Sequence, residues 1–319
     1  MGDARPAESV ALYSETDEEI GVNNEGCITT EDGLRLFFQK LGSGPKIVVP
    51  NGIYFLDDLS VLASERTVIA YDLRNRGRSD QAANGDGNIL RDVDDLEIVR
   101  LHFEIDQVDL IGHSYIGLMV ALYAMKYPGH VNRVVQIGPM EPAAGKQYPA
   151  HLTFNDGLLP QVFGKLAQLQ RDRTTEDDVE FCRKAWSILG AIYVANPADA
   201  GRIAWGRCDL PNERNFMKHW TEKILPSIQS LRIPEEASMV KSPVLTIHGT
   251  KDRNAPYGGG REWAMMLPDG RLVTIEGAAH APWIEAPEKV FGAIRTFLDG
   301  EWPEEAEKVE SLETRAASA

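Results

Sequence analysis

The segment Val108-Asp109-Leu110-Ile111-Gly112-His113-Ser114-Tyr115-Ile116-Gly117 decides the reading of this chain. Its first half has the length and apolar character of a buried strand. From Tyr115 an apolar helical run continues to Tyr127 and stops at Pro128-Gly129. A serine on such a strand-turn-helix bend holds its hydroxyl clear of neighbours. The helix start behind it offers backbone N–H groups and a positive dipole end to a developing oxyanion. A serine before a helix also serves as an ordinary N-cap, so the nucleophile reading needs a base and an acid elsewhere.

Both are found downstream. Val244-Leu-Thr-Ile-His248 reads as a buried strand, and the loop Gly249-Thr-Lys-Asp252-Arg-Asn-Ala-Pro256 places a carboxylate just past its C-terminal end. Ligands and catalytic groups collect at that end of parallel sheets. A second strand, Arg271-Leu-Val-Thr-Ile275, leads into Glu276-Gly-Ala-Ala-His280-Ala-Pro-Trp283, ahead of a closing helix from about Pro287 to Leu298. Ser114, Asp252 and His280 are therefore the expected nucleophile, acid and base. Glu276 and Asp72 are rival acids, but neither follows the penultimate strand. The other histidines are His102, His113, His130, His151, His219 and His248, and none of these lies in the last strand-to-helix loop. His113 is expected to pack in the turn and His248 to be structural. No pair has zinc-site spacing, so neither metal nor cofactor is expected.

Two further motifs agree. Tyr71-Asp72-Leu-Arg74-Asn-Arg76-Gly77-Arg-Ser79-Asp80 looks like the Asp-x-Arg-Gly-x-Gly-x-Ser segment of the α/β-hydrolase superfamily, and Pro50-Asn51-Gly52-Ile53-Tyr54 occupies the place of its His-Gly oxyanion loop. The chain resembles that superfamily from about Ile28 to Leu298, in the manner of carboxylesterase-like and proline iminopeptidase-like serine hydrolases. The order Ser114, Asp252, His280 is the order of that family. The resemblance implies an α/β fold, with a doubly wound, mostly parallel sheet built from residues 21–138 and 241–299. A helical cap at 139–240 would be inserted in it, with helices near Thr175 to Tyr193 and Asn212 to Gln229. Residues 1–20 and 300–319 read as a flexible arm and a flexible acidic tail. The resemblance also implies an oxyanion hole made by the backbone N–H groups of Ile53 and Tyr115. Tyr54, Trp283 and His219 are expected at the substrate pocket. Two departures stand out: Ile116 is bulky where the family has a small residue, and Asn51 replaces the usual His. In the cap, Thr174-Thr175-Glu176-Asp177-Asp178-Val-Glu180 would either hold a substrate ammonium or, through Thr175 and Asp178, cap a helix.

The 319-residue chain carries a formal net charge of −15, which argues against nucleic-acid and anionic-membrane partners and favours a small neutral or cationic substrate. Cys27, Cys182 and Cys208 lack metal or redox spacing and read as ordinary thiols in a reducing compartment. The N-terminus lacks a signal-peptide core and no run is long enough to span a membrane, so a soluble, cytoplasmic protein is expected. The oligomeric state stays open. The expected activity is cleavage of a small carboxylic ester through an acyl-enzyme. An iminopeptidase-type aminopeptidase, a C–C bond hydrolase and a non-catalytic small-molecule receptor are the alternatives.

Overall fold

The computed structural model describes residues 24–82, 86–173, 177–203, 205–214, 216–233 and 236–313, so the expected N-terminal arm lies outside the described residues. Eight strands form one sheet: β1 (Glu25–Thr29), β2 (Arg35–Leu41), β3 (Lys46–Pro50), β4 (Thr67–Tyr71), β5 (Val108–His113), β6 (Val131–Ile137), β7 (Val244–Gly249) and β8 (Gly270–Ile275). Their order is β1-β2-β4-β3-β5-β6-β7-β8. The pairs β1/β2 and β2/β4 are antiparallel and all the others parallel. β5 and β7 are buried at every position, which is why both read as almost unbroken apolar runs: helices cover both faces.

The period-2 alternation of each strand divides the core. Val48 joins the layer of α2 (Ile89–His102) and α3 (Tyr115–Lys126), whereas Ile47 and Val49 face α1 (Gly52–Leu59) and α11 (Pro287–Leu298). Two short helices complete this part of the chain, α9 (Tyr257–Met266) after β7 and α10 (Pro282–Glu285) after β8.

Between β6 and β7 the described residues form no strand. They form α4 (Leu158–Arg171), α5 (Asp178–Leu189), α6 (Pro211–Arg214), α7 (Phe216–His219), a π turn at Trp220–Ile224 and α8 (Leu225–Gln229). The helix expected over Asn212 to Gln229 is thus broken into pieces. Pro226 accounts for part of this, because its missing N–H frees the carbonyl four residues earlier and the turn ahead of it widens. Thr175 lies outside the described residues. The N-cap of α5 is Asp177, whose carboxylate accepts from the Val179 and Glu180 N–H groups.

Two expectations need correction. Cys182 and Cys208 are not free thiols: they form a disulfide with their Cα atoms 5.8 Å apart, joining α5 to the segment before α6, while Cys27 is exposed and unpaired. Sequence spacing missed the bridge because the two cysteines meet only when the helices between β6 and β7 fold together. Reduction, or Cys182→Ser with Cys208→Ser, is expected to lower unfolding stability by about 3 kcal/mol, since the bridge closes a 26-residue loop; urea unfolding with and without reductant measures it.

The C-terminal segment, expected to be flexible, packs back on the sheet as far as it is described. Glu307 pairs with Leu272 as an antiparallel bridge, Val309 is buried, and the Trp302 ring packs tilted against Phe297 with centroids 4.9 Å apart. Its acidic composition hid the reason, which is that β8 is an edge strand whose N–H and C=O groups need a cover. Among the described residues no helix is long and apolar enough to cross a membrane.

Candidate active site

Ser114 sits between β5 and α3 with φ 59° and ψ −127°, a backbone conformation that a non-glycine residue holds only when its surroundings enforce it. Here they do. Its N–H donates to Ile137 O at 3.0 Å, and its carbonyl accepts from Met140 N–H at 3.1 Å and Leu118 N–H at 3.3 Å. The hydroxyl makes no capping bond to α3, so the ordinary N-cap role does not explain this serine.

The departure at Ile116 is absorbed by two neighbouring glycines. A Cβ on Gly112 would lie 2.5 Å from Ile116 O, and one on Gly117 would lie 3.0 Å from Pro139 Cβ, so the close strand–helix crossing is carried by these positions and Ile116 remains buried beside it. Gln136 clamps the crossing by donating to Gly117 O at 2.8 Å.

Asp252 and His280 meet. His280 Nδ1 donates to Asp252 Oδ2 at 2.7 Å, and both side chains are almost fully enclosed. Oδ1 of Asp252 accepts the N–H groups of Asn254 (2.8 Å) and Ala255 (2.9 Å). Burial opposes ionisation of Asp252, but the electrostatic pull of His280 and the bonds from His248 and His280 outweigh it and hold the carboxyl well below the usual range. With an ionised partner on Nδ1, the lone pair of His280 is on Nε2. The rival acids lie elsewhere: Glu276 is exposed and accepts from Thr250, and Asp72 accepts the N–H groups of Ile53 (3.0 Å) and Arg78 (2.9 Å).

The loop that carries His280 is fastened at several points. Ala281 N–H donates to Tyr193 O at 2.8 Å, Ala279 N–H to Glu285 at 2.7 Å, and His113 Nε2 to His280 O at 2.8 Å. A carbonyl only accepts, so His113 holds its proton on Nε2. Burial pushes its pKa well down, and it is neutral. His113 therefore does more than pack in the turn: it holds the main chain of His280. His248 donates through Nε2 to both Asp252 Oδ2 and Ala255 O, each at 3.2 Å, as a second support for the same carboxylate.

Ser114, His280, His113 and Asn254 open on one cavity of about 210 Å³ between the sheet and the inserted helices. Its walls are mostly aromatic, including Tyr54, Trp186, Tyr193, Trp205, Phe216 and Trp220, and among the described residues no Asp, Glu, Lys or Arg lines it. Tyr54 and Tyr115 are in the lining, but the other two expected pocket residues are not. Trp283 stands one layer back, edge-on to His113 at 4.9 Å, and His219 turns away beside Gly87. Ile53 also departs from expectation: because α1 starts at Gly52, the Ile53 N–H is turned onto Asp72 and not toward Ser114.

Behind the wall lies a buried ion pair that sequence reasoning missed. Arg76 bonds Glu213 through Nε (3.0 Å) and Nη2 (2.8 Å) and donates to the hydroxyls of Tyr54 (2.6 Å) and Tyr115 (3.3 Å). Glu213 also accepts from Gly77 N–H at 2.8 Å and from the Tyr54 hydroxyl. The Arg76 in the quoted motif was visible; its partner, 137 residues away in the inserted region, was not. Arg253 adds a second strap, donating to Val194 O (2.7 Å), Ala195 O (3.0 Å) and Asp156 (2.7 Å).

This sheet, with a serine on the bend after β5 and an Asp–His pair after β7 and β8, defines an α/β-hydrolase. A profile of the alpha/beta hydrolase fold matches residues 52–287, most of the chain, and the protein belongs to that family. It is 25% identical over 300 residues to a proline iminopeptidase of Heyndrickxia coagulans, covering 86% of this chain and 98% of that one. It is 27% identical over 298 residues to a non-heme chloroperoxidase of Streptomyces lividans, covering 86% and 99%. An esterase structure from Exiguobacterium antarcticum superposes with a TM-score of 0.65 at 17% identity, covering 86% of this chain and 99% of that chain.

Proposed function

We propose that the protein is a serine hydrolase of small, uncharged carboxylic esters that works through an acyl-enzyme on Ser114. The observation that carries this reading is the uncharged aromatic cavity onto which Ser114 and a buried, Asp252-bonded His280 both open. Ser114 Oγ attacks the ester carbonyl carbon and its proton passes to His280 Nε2. The tetrahedral intermediate collapses, the leaving alkoxide takes that proton, and the acyl group stays on Ser114. A water molecule, deprotonated by His280, then attacks the acyl carbonyl, and collapse returns the proton to Ser114 and frees the carboxylic acid. Asp252 orients the imidazole and stabilises its charged form. Tyr115 N–H, at the start of α3 where no earlier carbonyl in the helix reaches it, supplies one oxyanion hydrogen bond.

The lining favours ester over an N-terminal proline. A substrate ammonium needs a carboxylate in reach, and none of the described lining residues is acidic. Asp177 caps α5, Glu180 pairs with Lys184 at 2.6 Å, and Glu213 is consumed by Arg76. Hydrolysis of p-nitrophenyl phenylacetate and of proline p-nitroanilide should be compared, with phenylmethanesulfonyl fluoride labelling mapped by mass spectrometry. Ester turnover with label on Ser114 and no anilide cleavage is the expected result. Preferential anilide cleavage overturns the ester reading, and ligand binding without turnover or label favours a receptor.

Gly138 gives a second check. With φ +48° it lies so close to the acid–base pair that a Cβ would stand 3.2 Å from His280 Nδ1 and 3.3 Å from Asp252 Oδ2. Gly138→Ala should lower ester kcat on the order of 10²-fold by displacing the imidazole while the fold, followed by circular dichroism, is retained. An unchanged kcat would remove the Asp252–His280 geometry from the mechanism.

A further inference from the structure

Asn51 stands at the end of β3, 2% exposed, in the left-handed conformation at φ 62° and ψ 44°. It lines the same cavity as Ser114 and His280. Asn tolerates this backbone better than most residues, yet a buried side chain held there with nothing to bond is unusual. The Oδ1 atom is fully enclosed without a hydrogen-bond partner, and among the described residues Nδ2 bonds no protein atom. The N–H groups that follow are already committed, Ile53 to Asp72 Oδ1 at 3.0 Å and Tyr54 to Asn51 O at 3.2 Å. The side chain thus leaves its amide free in the cavity onto which Ser114 opens, while the Ile53 backbone donor is committed to Asp72.

From this unpartnered amide in the cavity shared with Ser114 we infer that the Asn51 side chain is a catalytic residue, whose Nδ2–H donates the second hydrogen bond to the oxyanion alongside Tyr115 N–H. The role rests on the serine-hydrolase reading above. An amide has two N–H bonds and only its orientation must suit, and a donor aimed at developing charge in an enclosed cavity acts far more strongly on the transition state than on a neutral ester carbonyl. Loss of the donor should therefore appear in kcat and leave KM nearly unchanged.

The test is Asn51→Gly, which keeps the left-handed backbone accessible and deletes only the amide, together with Asn51→Asp, which keeps the shape but offers only acceptors. With p-nitrophenyl phenylacetate both should lose roughly 10²- to 10³-fold in kcat, with Asp the more damaged, KM within a few-fold of wild type, and a trifluoromethyl ketone inhibitor weakened by a similar factor. Ser114 labelled in the wild type but full kcat in Asn51→Gly overturns the Asn51 assignment alone, as does a raised KM at unchanged kcat. A wild-type chain that neither turns over ester nor takes label at Ser114 overturns the hydrolase reading and this assignment with it.

Discussion

Ser114→Ala is expected to lower ester kcat on the order of 10⁶-fold, leaving the thermal midpoint within a degree or two of wild type. The size follows from the geometry. Ser114 has its backbone bonds to Ile137, Met140 and Leu118 and no capping role for its hydroxyl, so removing Oγ deletes the proposed nucleophile and almost nothing that holds the fold. His280→Ala should cost about as much, and the double variant little more than either, because nucleophile and base act as one unit. Losses that multiplied instead of overlapping would show that the two side chains work in separate steps. Steady-state kinetics on the four proteins decides between these outcomes.

Glu213→Ala should destabilise the fold by about 3–5 kcal/mol. It leaves the Arg76 guanidinium charged, fully buried and wedged 4.4 Å from the centre of the Phe216 ring, with only the tyrosine hydroxyls for company. Arg76→Met combined with Glu213→Leu should recover most of that loss, since an apolar pair of similar size removes both the charge and its need for a partner. Urea unfolding measures both, and a Glu213→Ala midpoint equal to wild type would count against the pair as a fastening of the inserted helices. The pH dependence has a definite sign. Burial works against ionisation of Glu213, but the Arg76 charge, the Arg76 and Tyr54 hydrogen bonds and the Gly77 N–H bring its pKa below the ordinary 4.5. Its contribution is therefore present above about pH 4.5 and lost as pH falls through the lowered value, so wild type should lose stability in acid faster than the double variant.

The strands and helices of the core were legible because they follow from local pattern. α11 occupies the stretch Pro287 to Leu298 read from the sequence, and β7 and β8 each extend by one residue, at one end, the runs read at Val244 to His248 and Arg271 to Ile275. An apolar run bounded by Gly or Pro becomes a strand or helix whatever lies far away in the chain. The inserted region was less legible. Its short helices take their limits from Pro226 and from contacts with the sheet, neither of which leaves a repeating signature.

The sequence by itself determined the doubly wound sheet, the bend at Ser114 and the order of serine, acid and histidine, because strand periodicity, turn residues and chain order are local properties. Tertiary structure alone decided what those residues meet. It paired His280 with Asp252 rather than Glu276, brought Cys182 to Cys208, and closed Arg76 on Glu213. It also turned Ile53 N–H onto Asp72, left the Asn51 amide unpartnered, and set Trp283 and His219 outside the cavity they were expected to line. Each of these depends on the direction of a side chain or an N–H in a folded interior, where partners 19 to 137 residues apart meet within a few ångströms, and no pattern along the chain records which of them do.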